Sequence, residues 1–153
     1  MDKIRRIFPL LILFTLLSCA DTIETRIPYR IVNLELDLTY QDKALKAILA
    51  YKTYTQKNVD QANEQTGFGG ILVYHGLPDA FFAFDAACPH EASSNTIVEV
   101  DESGMYAICP KCGSKFDISY GNGNPVEGPC AEEKQALKRY VVDTNGNKIY
   151  IHN

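Results

Sequence analysis

A chain of 153 residues, 46% hydrophobic and 22% charged, has ordinary globular composition and length for one domain around one core; two would each be short of buried surface. A net charge of −4, with no Lys/Arg-rich run after the first few residues, speaks against nucleic acid and anionic lipid head groups as partners. Nine Tyr, seven Phe and no Trp, with plentiful Val and Ile, lean toward strands.

Lys3, Arg5 and Arg6 form a basic start, and residues 7–17 are an apolar run broken only by Pro9 and Thr15. Such a run is too short to span a bilayer, which needs about twenty apolar residues, and reads as the apolar region of a signal peptide. The following Leu16-Leu17-Ser18-Cys19 resembles the lipobox of bacterial lipoproteins. That resemblance implies a signal peptide over 1–18, lipid on Cys19, and a place in the cell envelope, anchored to a membrane and facing the periplasm or exterior. The alternative is a plain signal peptide whose Cys is incidental. Losing 1–18 leaves 135 residues and a net charge of −6, because Lys3, Arg5, Arg6 and Asp2 go with it. An acidic face suits docking to a basic protein, and equally suits solubility.

Residues 19–28 are mostly polar, end in Pro28 and read as a tether to a single domain over 29–153. Tyr29 to Leu38 alternates and predicts a first strand. In 42–54, Ala44, Leu45, Ile48, Leu49 and Tyr51 fall at helical spacing, which predicts a short helix or an irregular excursion. Residues 55–66 are rich in Gln and Asn and read as an exposed loop. Strands are expected at 71–74 and 80–85 about a turn at 76–79, at 96–100 and 105–108 about 101–104, and at 114–119 before a Gly/Asn loop at 121–124. Strands at 137–143 and 148–152 flank Thr144-Asn145-Gly146-Asn147, whose Asn-Gly suits a tight hairpin. Many short strands at this spacing predict an all-β antiparallel sandwich or barrel.

Apart from Cys19 there are four cysteines: Cys88, Cys109, Cys112 and Cys130. In an oxidising compartment they could pair as disulfides. Their spacing points instead to a metal. Cys88-Pro89-His90 and Cys109-Pro110-Lys111-Cys112-Gly113 are two tight knuckles, each able to aim two soft donors at one centre. Together they offer three thiols and one imidazole. Proline in each knuckle and glycine after the second keep the backbone tight, so that its N–H groups can point at the sulfurs.

With the flanking residues Ala83-Phe84-Asp85-Ala86-Ala87 before the first knuckle, Ser114-Lys115-Phe116-Asp117 after the second, and Gly128-Pro129 beyond, the chain resembles a Rieske [2Fe–2S] domain over about 69–152. The family pattern is C-x-H, a spacer, C-x₂-H-G-S-x-[FY]-D, then a Gly-Pro loop folded over the cluster. The resemblance implies antiparallel sheets with a small metal-binding subdomain, a [2Fe–2S] cluster, and one-electron transfer with a redox protein partner rather than stand-alone catalysis. It implies ligands Cys88, Cys109, His90 and Cys112, the last standing where the family has its second histidine.

That departure has consequences. A thiolate brings a negative charge where imidazole is neutral, which favours the oxidised cluster and lowers the potential. Phe116 stands where high-potential members carry a Tyr that donates to a cysteine sulfur, while Ser114 keeps the hydroxyl that can donate to a bridging sulfide. The positions of those members' stabilising disulfide read Ser93 and Lys111. The exposed histidine that meets quinol in quinol-oxidising relatives is gone. Cys-Pro-Lys-Cys-Gly also looks like a zinc-ribbon knuckle and Cys₃His is an ordinary zinc set, so a zinc-stabilised or metal-free, disulfide-closed interaction module is the competing reading. Cys130 follows Gly128-Pro129 on the covering loop and is either a fifth donor near the centre or a small apolar filler. His75, His152, Glu91, Asp101, Glu102, Glu132 and Glu133 read as solvated.

Overall fold

The computed structural model describes residues 25–153; the expected signal peptide, Cys19 and most of the tether lie outside the described residues. The strands in chain order are β1 Val32–Asp37, β2 Tyr51–Tyr54, β3 Gln65–Thr66, β4 Ile71–Gly76, β5 Ala80–Asp85, β6 Glu99–Val100, β7 Tyr106–Ile108, β8 Lys115–Asp117, β9 Asn124–Glu127, β10 Arg139–Asn145 and β11 Lys148–His152. A 3-10 helix (Lys43–Lys46) and a four-residue helix α1 (Pro129–Glu132) complete the described elements. The fold is all-β. One seven-stranded antiparallel sheet has the order β2-β4-β5-β10-β11-β1-β3, and a four-stranded sheet has the order β6-β7-β8-β9.

Every residue of β4 is buried, because the strand separates two cores. Alternate side chains of a strand point to opposite faces. Ile71 and Val73 therefore join Leu34, Leu36, Ile149 and Ile151 in the larger sheet's core. Leu72 and Tyr74 point the other way, and with Phe84, Phe116 and Ile118 seal the smaller sheet against the larger. The continuous apolar run Ile71-Leu72-Val73-Tyr74 reflects burial on both faces. Cys88, Cys109 and Cys130 belong to this second core.

The chain leaves β5 through Asp85, a fully buried carboxylate that accepts from Phe68 N at 2.9 Å, Gly69 N at 3.0 Å, Ala87 N at 2.9 Å and the Tyr140 hydroxyl at 2.6 Å. A buried charge persists only when its lone pairs are satisfied. These bonds fix the backbone immediately before Cys88.

Several expectations need correcting. In 42–54 only the 3-10 turn is helical. Leu45 is buried but Ile48 is 42% exposed, and Leu49 takes a φ of 66°, so the apolar residues do not share a helical face. The chain turns there so that β2 can pair with β4, Tyr51 opposite Tyr74. Residues 65–66, expected in a loop, add β3 to the edge of β1. The strand expected at 96–100 is confined to β6, with Ile97 making a lone bridge to Ala87. Between the Gly/Asn loop and residue 137 the sequence suggested no element, yet β9 pairs with β8 and α1 follows it. His75, expected to be solvated, is buried: its ring lies 2.8 Å from the Leu45 carbonyl and 2.7 Å from Asp79 Oδ1, and stacks on Phe81. Residues 25–28 lie against the domain, with Ile27 buried and the Pro28 carbonyl accepting from Lys138 at 2.9 Å. Among the described residues no helix is long and apolar enough to cross a membrane.

Candidate metal centre

The second knuckle is the tip of the β7–β8 hairpin. Cys109 N donates to the Ser114 carbonyl at 2.8 Å and Gly113 N to the Cys109 carbonyl at 3.0 Å, closing a tight turn. Gly113 takes a φ of 72°, the left-handed region that glycine enters without strain. The first knuckle follows Asp85 and is held by Cys88 N donating to the Thr96 carbonyl at 3.0 Å. Lys111 of one knuckle pairs with Glu91 beside the other. This ion pair links the two knuckles.

The sulfurs of Cys88, Cys109 and Cys112 converge, all lying within 4.8 Å of one another, with Cys88 Sγ 3.6 Å from Cys112 Sγ. None of the four cysteines is bridged. Backbone N–H groups do point at sulfurs: Glu91 at Cys88, Ser114 at Cys112 and His90 at Cys130. Such donors stabilise thiolate, the form that binds metal. Ser114 is buried, with its hydroxyl 3.1 Å from Cys112 Sγ while it accepts from Cys130 N at 3.0 Å.

These contacts shift the thiols in opposite directions. Cys88 is pushed up, first because it donates to Cys130 and then because it is buried. Cys130 is pulled down, chiefly as the acceptor of that bond, against the opposing effect of burial. Burial pushes Cys112 up, but the Ser114 hydroxyl and N–H and the neighbouring thiols outweigh it and leave the thiol below its ordinary range.

His90 is not brought into the group of three sulfurs. Its Nδ1 lies 3.1 Å from Glu133 Oε2, and the same carboxylate oxygen meets Arg26 Nη1 at 3.1 Å. This contact raises the His90 pKa above its ordinary value of 6.5. Glu133 was expected to be solvated and Asp85 carried no expected role; Glu133 meets His90 43 residues away, and three of the four donors to Asp85 are distant in sequence. Phe116 is fully buried and packs in the core behind the knuckles. Gly128 and Pro129 open α1, which brings Cys130 down on the second knuckle.

The donor chemistry fits a thiophilic metal, whether iron in an iron–sulfur centre or zinc. The knuckles bring three thiols together, and the one imidazole they carry, His90, has its Nδ1 on Glu133.

No family model matches the chain, and no curated protein matches it. A chain in the solved structure of a complex of reduced oxygenase and oxidized ferredoxin in carbazole 1,9a-dioxygenase is similar at 18% identity and a TM-score of 0.49, over 79% of this chain and 93% of that one.

Proposed function

We propose that this protein is an electron carrier whose two knuckles hold an iron–sulfur centre of the [2Fe–2S] type through Cys88, Cys109, Cys112 and a fourth donor from the same loops. The observation that carries the reading is the convergence of three sulfurs from two hairpin-like turns, within 4.8 Å, on a sequence pattern that resembles the Rieske motif. When bound, such a centre takes up one electron and returns it. The protein's part is to set its charge and surroundings. Cys112 contributes a thiolate where the resembled family has neutral imidazole, which disfavours adding an electron. The Ser114 hydroxyl and the N–H groups of Glu91 and Ser114 offset part of that charge. His90, with a side chain 33% exposed and hydrogen-bonded to Glu133, can hold a proton at the rim. The redox partner is a protein, met at a membrane surface to which a lipid on Cys19 would anchor the domain.

A specific distance favours a second reading. Around one tetrahedral zinc at about 2.3 Å from each sulfur, thiolates lie about 3.8 Å apart. The Cys88–Cys112 separation of 3.6 Å is close to that. Zinc would make the site a structural staple in an interaction module. The visible spectrum of purified protein, with iron, acid-labile sulfide and zinc analysis, separates the two. Equal iron and sulfide, with a spectrum bleached by dithionite, is the expected result; zinc alone with no visible bands would reject electron transfer. Cys19→Ser should move the protein from the membrane to the soluble fraction or leave unprocessed precursor. Wild-type protein already in the soluble fraction would reject the anchor.

A further inference from the structure

We propose that the end of the larger sheet carrying Tyr29, Arg30, Ile31 and Arg139 is a membrane-docking face, seated on the head groups of an anionic bilayer. The proposal rests on reading Cys19 as lipid-bearing, and not on which metal the knuckles hold.

Strand register fixes what lies at that end. β1 starts there, with Asn33 opposite His152, and His152 stands opposite Val141 near the start of β10. Arg139, the first residue of β10, pairs with Phe84 at the close of β5. The tether joins the domain at the same end. Thr25 shares a groove with Lys138 and Arg139, and Tyr29, Arg30 and Ile31 share another with Gln65 and Thr66. Lys138 connects the two: its Nζ donates to the Pro28 carbonyl at 2.9 Å and lies 5.3 Å from the centre of the Tyr29 ring. The Arg30 carbonyl accepts from Asn153 Nδ2 at 2.7 Å, so the segment is held against the domain in advance of any partner.

The side chains presented there suit a bilayer surface. Tyr29 is 69% and Ile31 57% exposed, although both belong to this fixed segment. Arg30 and Arg139 are exposed and make no ion pair among the described residues. Three acids at this end are engaged within the domain: Glu64 and Asp85 are buried on backbone N–H groups, and Glu133 meets Arg26. An exposed tyrosine and an aliphatic side chain beside cations make an interfacial anchor, in which the ring sits at head-group level and each cation adds about fivefold to affinity for an anionic surface. No basic run in the sequence announces this face, because the fold gathers its arginines from opposite ends of the chain.

Reach decides between the two ends of the sheet. The far end, beyond the six residues of β1, carries Tyr40, 73% exposed, with Lys43 and Lys46 exposed nearby in sequence. It lies about 20 Å further on, at the rise of an extended strand. Cys19 and Thr25 are six residues apart, which span about 20 Å at most. A slack tether therefore lays the near end on the bilayer, whereas laying down the far end would stretch it along the domain at a cost in chain entropy. Arg26, Glu133 and His90 are joined in series, so the first knuckle flanks the docked face and the metal centre is carried close to the bilayer surface.

The chain has no tryptophan, so one introduced residue reports its own surroundings. Lipidated full-length protein is reconstituted in vesicles of phosphatidylcholine with about a third phosphatidylglycerol, and the emission of Tyr29→Trp and Tyr40→Trp is compared with and without brominated phosphatidylcholine. Tyr29→Trp should lose about half of its emission or more to the brominated lipid, while Tyr40→Trp loses little. Adding Arg30→Gln and Arg139→Gln to Tyr29→Trp should reduce the quenching at least about twofold while the lipid keeps the protein on the vesicles, and lysine at both positions should restore it. About 0.5 M salt should have the same effect on Tyr29→Trp with no further substitution, which separates lost charge from misfolding. Tyr29→Trp left unquenched, Tyr40→Trp quenched as strongly, or quenching indifferent to both arginines and salt would overturn the docking face and leave the anchor standing. Wild-type protein that does not sediment with the vesicles would overturn the lipid anchor and this inference with it.

Discussion

Glu133 Oε2 lies 3.1 Å from His90 Nδ1, joining the residue that caps helix α1 to the first metal knuckle across 43 positions of sequence. The anion favours the imidazolium, so the His90 pKa stands above its ordinary 6.5, against the small opposing effect of burial. The sign for stability follows from linkage. With the folded pKa raised, the contribution is whole below the unfolded value and is lost as pH climbs through the folded one. Glu133→Gln should therefore lower the His90 pKa and remove that part of the pH dependence. Imidazole proton shifts followed by NMR across pH 5 to 9 check it, and an unchanged midpoint would reject the pairing. The variant also frees Arg26, but an exposed ion pair of this kind contributes about 0–1 kcal/mol, so the melting temperature should barely move.

Asp85 holds the start of the first knuckle through three backbone N–H groups and the Tyr140 hydroxyl. Asp85→Ala would leave these donors buried and unpaired, each at a cost of about 1–3 kcal/mol if no water reaches it. A total loss of about 4 kcal/mol or more is expected in urea unfolding, among the larger effects of single substitutions. Asp85→Asn keeps one acceptor oxygen and should lose less. A loss below about 1 kcal/mol for Asp85→Ala would show that the carboxylate does not organise this turn.

What was legible in the sequence and what was not divides along these same contacts. The knuckles could be read because ligand spacing is local: Cys109 and Cys112 share a turn whatever the rest of the chain does. β5, β10 and β11 were legible through pattern and the Asn-Gly turn. β2 and β9 were not, because each is a strand only by virtue of its partner, β4 for one and β8 for the other. The helical spacing at 42–54 was outweighed by that pairing. Glu133 looked solvated because His90 is 43 residues away, and His75 because the Leu45 carbonyl that meets its Nδ1 is 30 residues away. Cys130 was placed near the centre by its neighbours Gly128 and Pro129, but nothing in sequence showed its contact with Cys88.

Ser114 Oγ lies 3.1 Å from Cys112 Sγ and accepts from Cys130 N at 3.0 Å, so Ser114→Ala should act on both sides of the site. Leaving the buried Cys130 N–H without its acceptor costs about 1–3 kcal/mol. Losing the hydroxyl also removes one of the influences that lower the Cys112 thiol, whose pKa should rise. In metal-free protein at pH 7.5, alkylation of Cys112 by iodoacetamide should then be slower than in wild type, since the thiolate is the nucleophile. Mass spectrometry of the labelled peptide gives the rate. Equal or faster labelling would contradict the assigned role of the hydroxyl.

Gly128 is where the chain must come closest to the second knuckle. It adopts φ 79° and ψ −171°, a region essentially restricted to glycine. A Cβ there would meet Ser114 Cα at 2.8 Å and Ser114 N at 3.0 Å, backbone atoms that cannot rotate aside. Gly128→Ala should therefore cost the backbone strain, about 1–3 kcal/mol, and also push the start of α1 away from Ser114. Ser114, whose Oγ lies 3.1 Å from Cys112 Sγ, is strained by the same clash, so metal should leave the variant faster when a chelator is added. Gly146→Ala separates the two effects. Gly146 also has a positive φ, 60°, but nothing lies within 4 Å of its would-be Cβ. That change should cost about 1–2 kcal/mol of left-handed strain and leave metal release as in wild type. Stability is read by urea unfolding and metal release by the decay of the metal-dependent absorbance under excess chelator. If the two glycine variants released metal at the same rate, the close approach at Gly128 would have no bearing on the site.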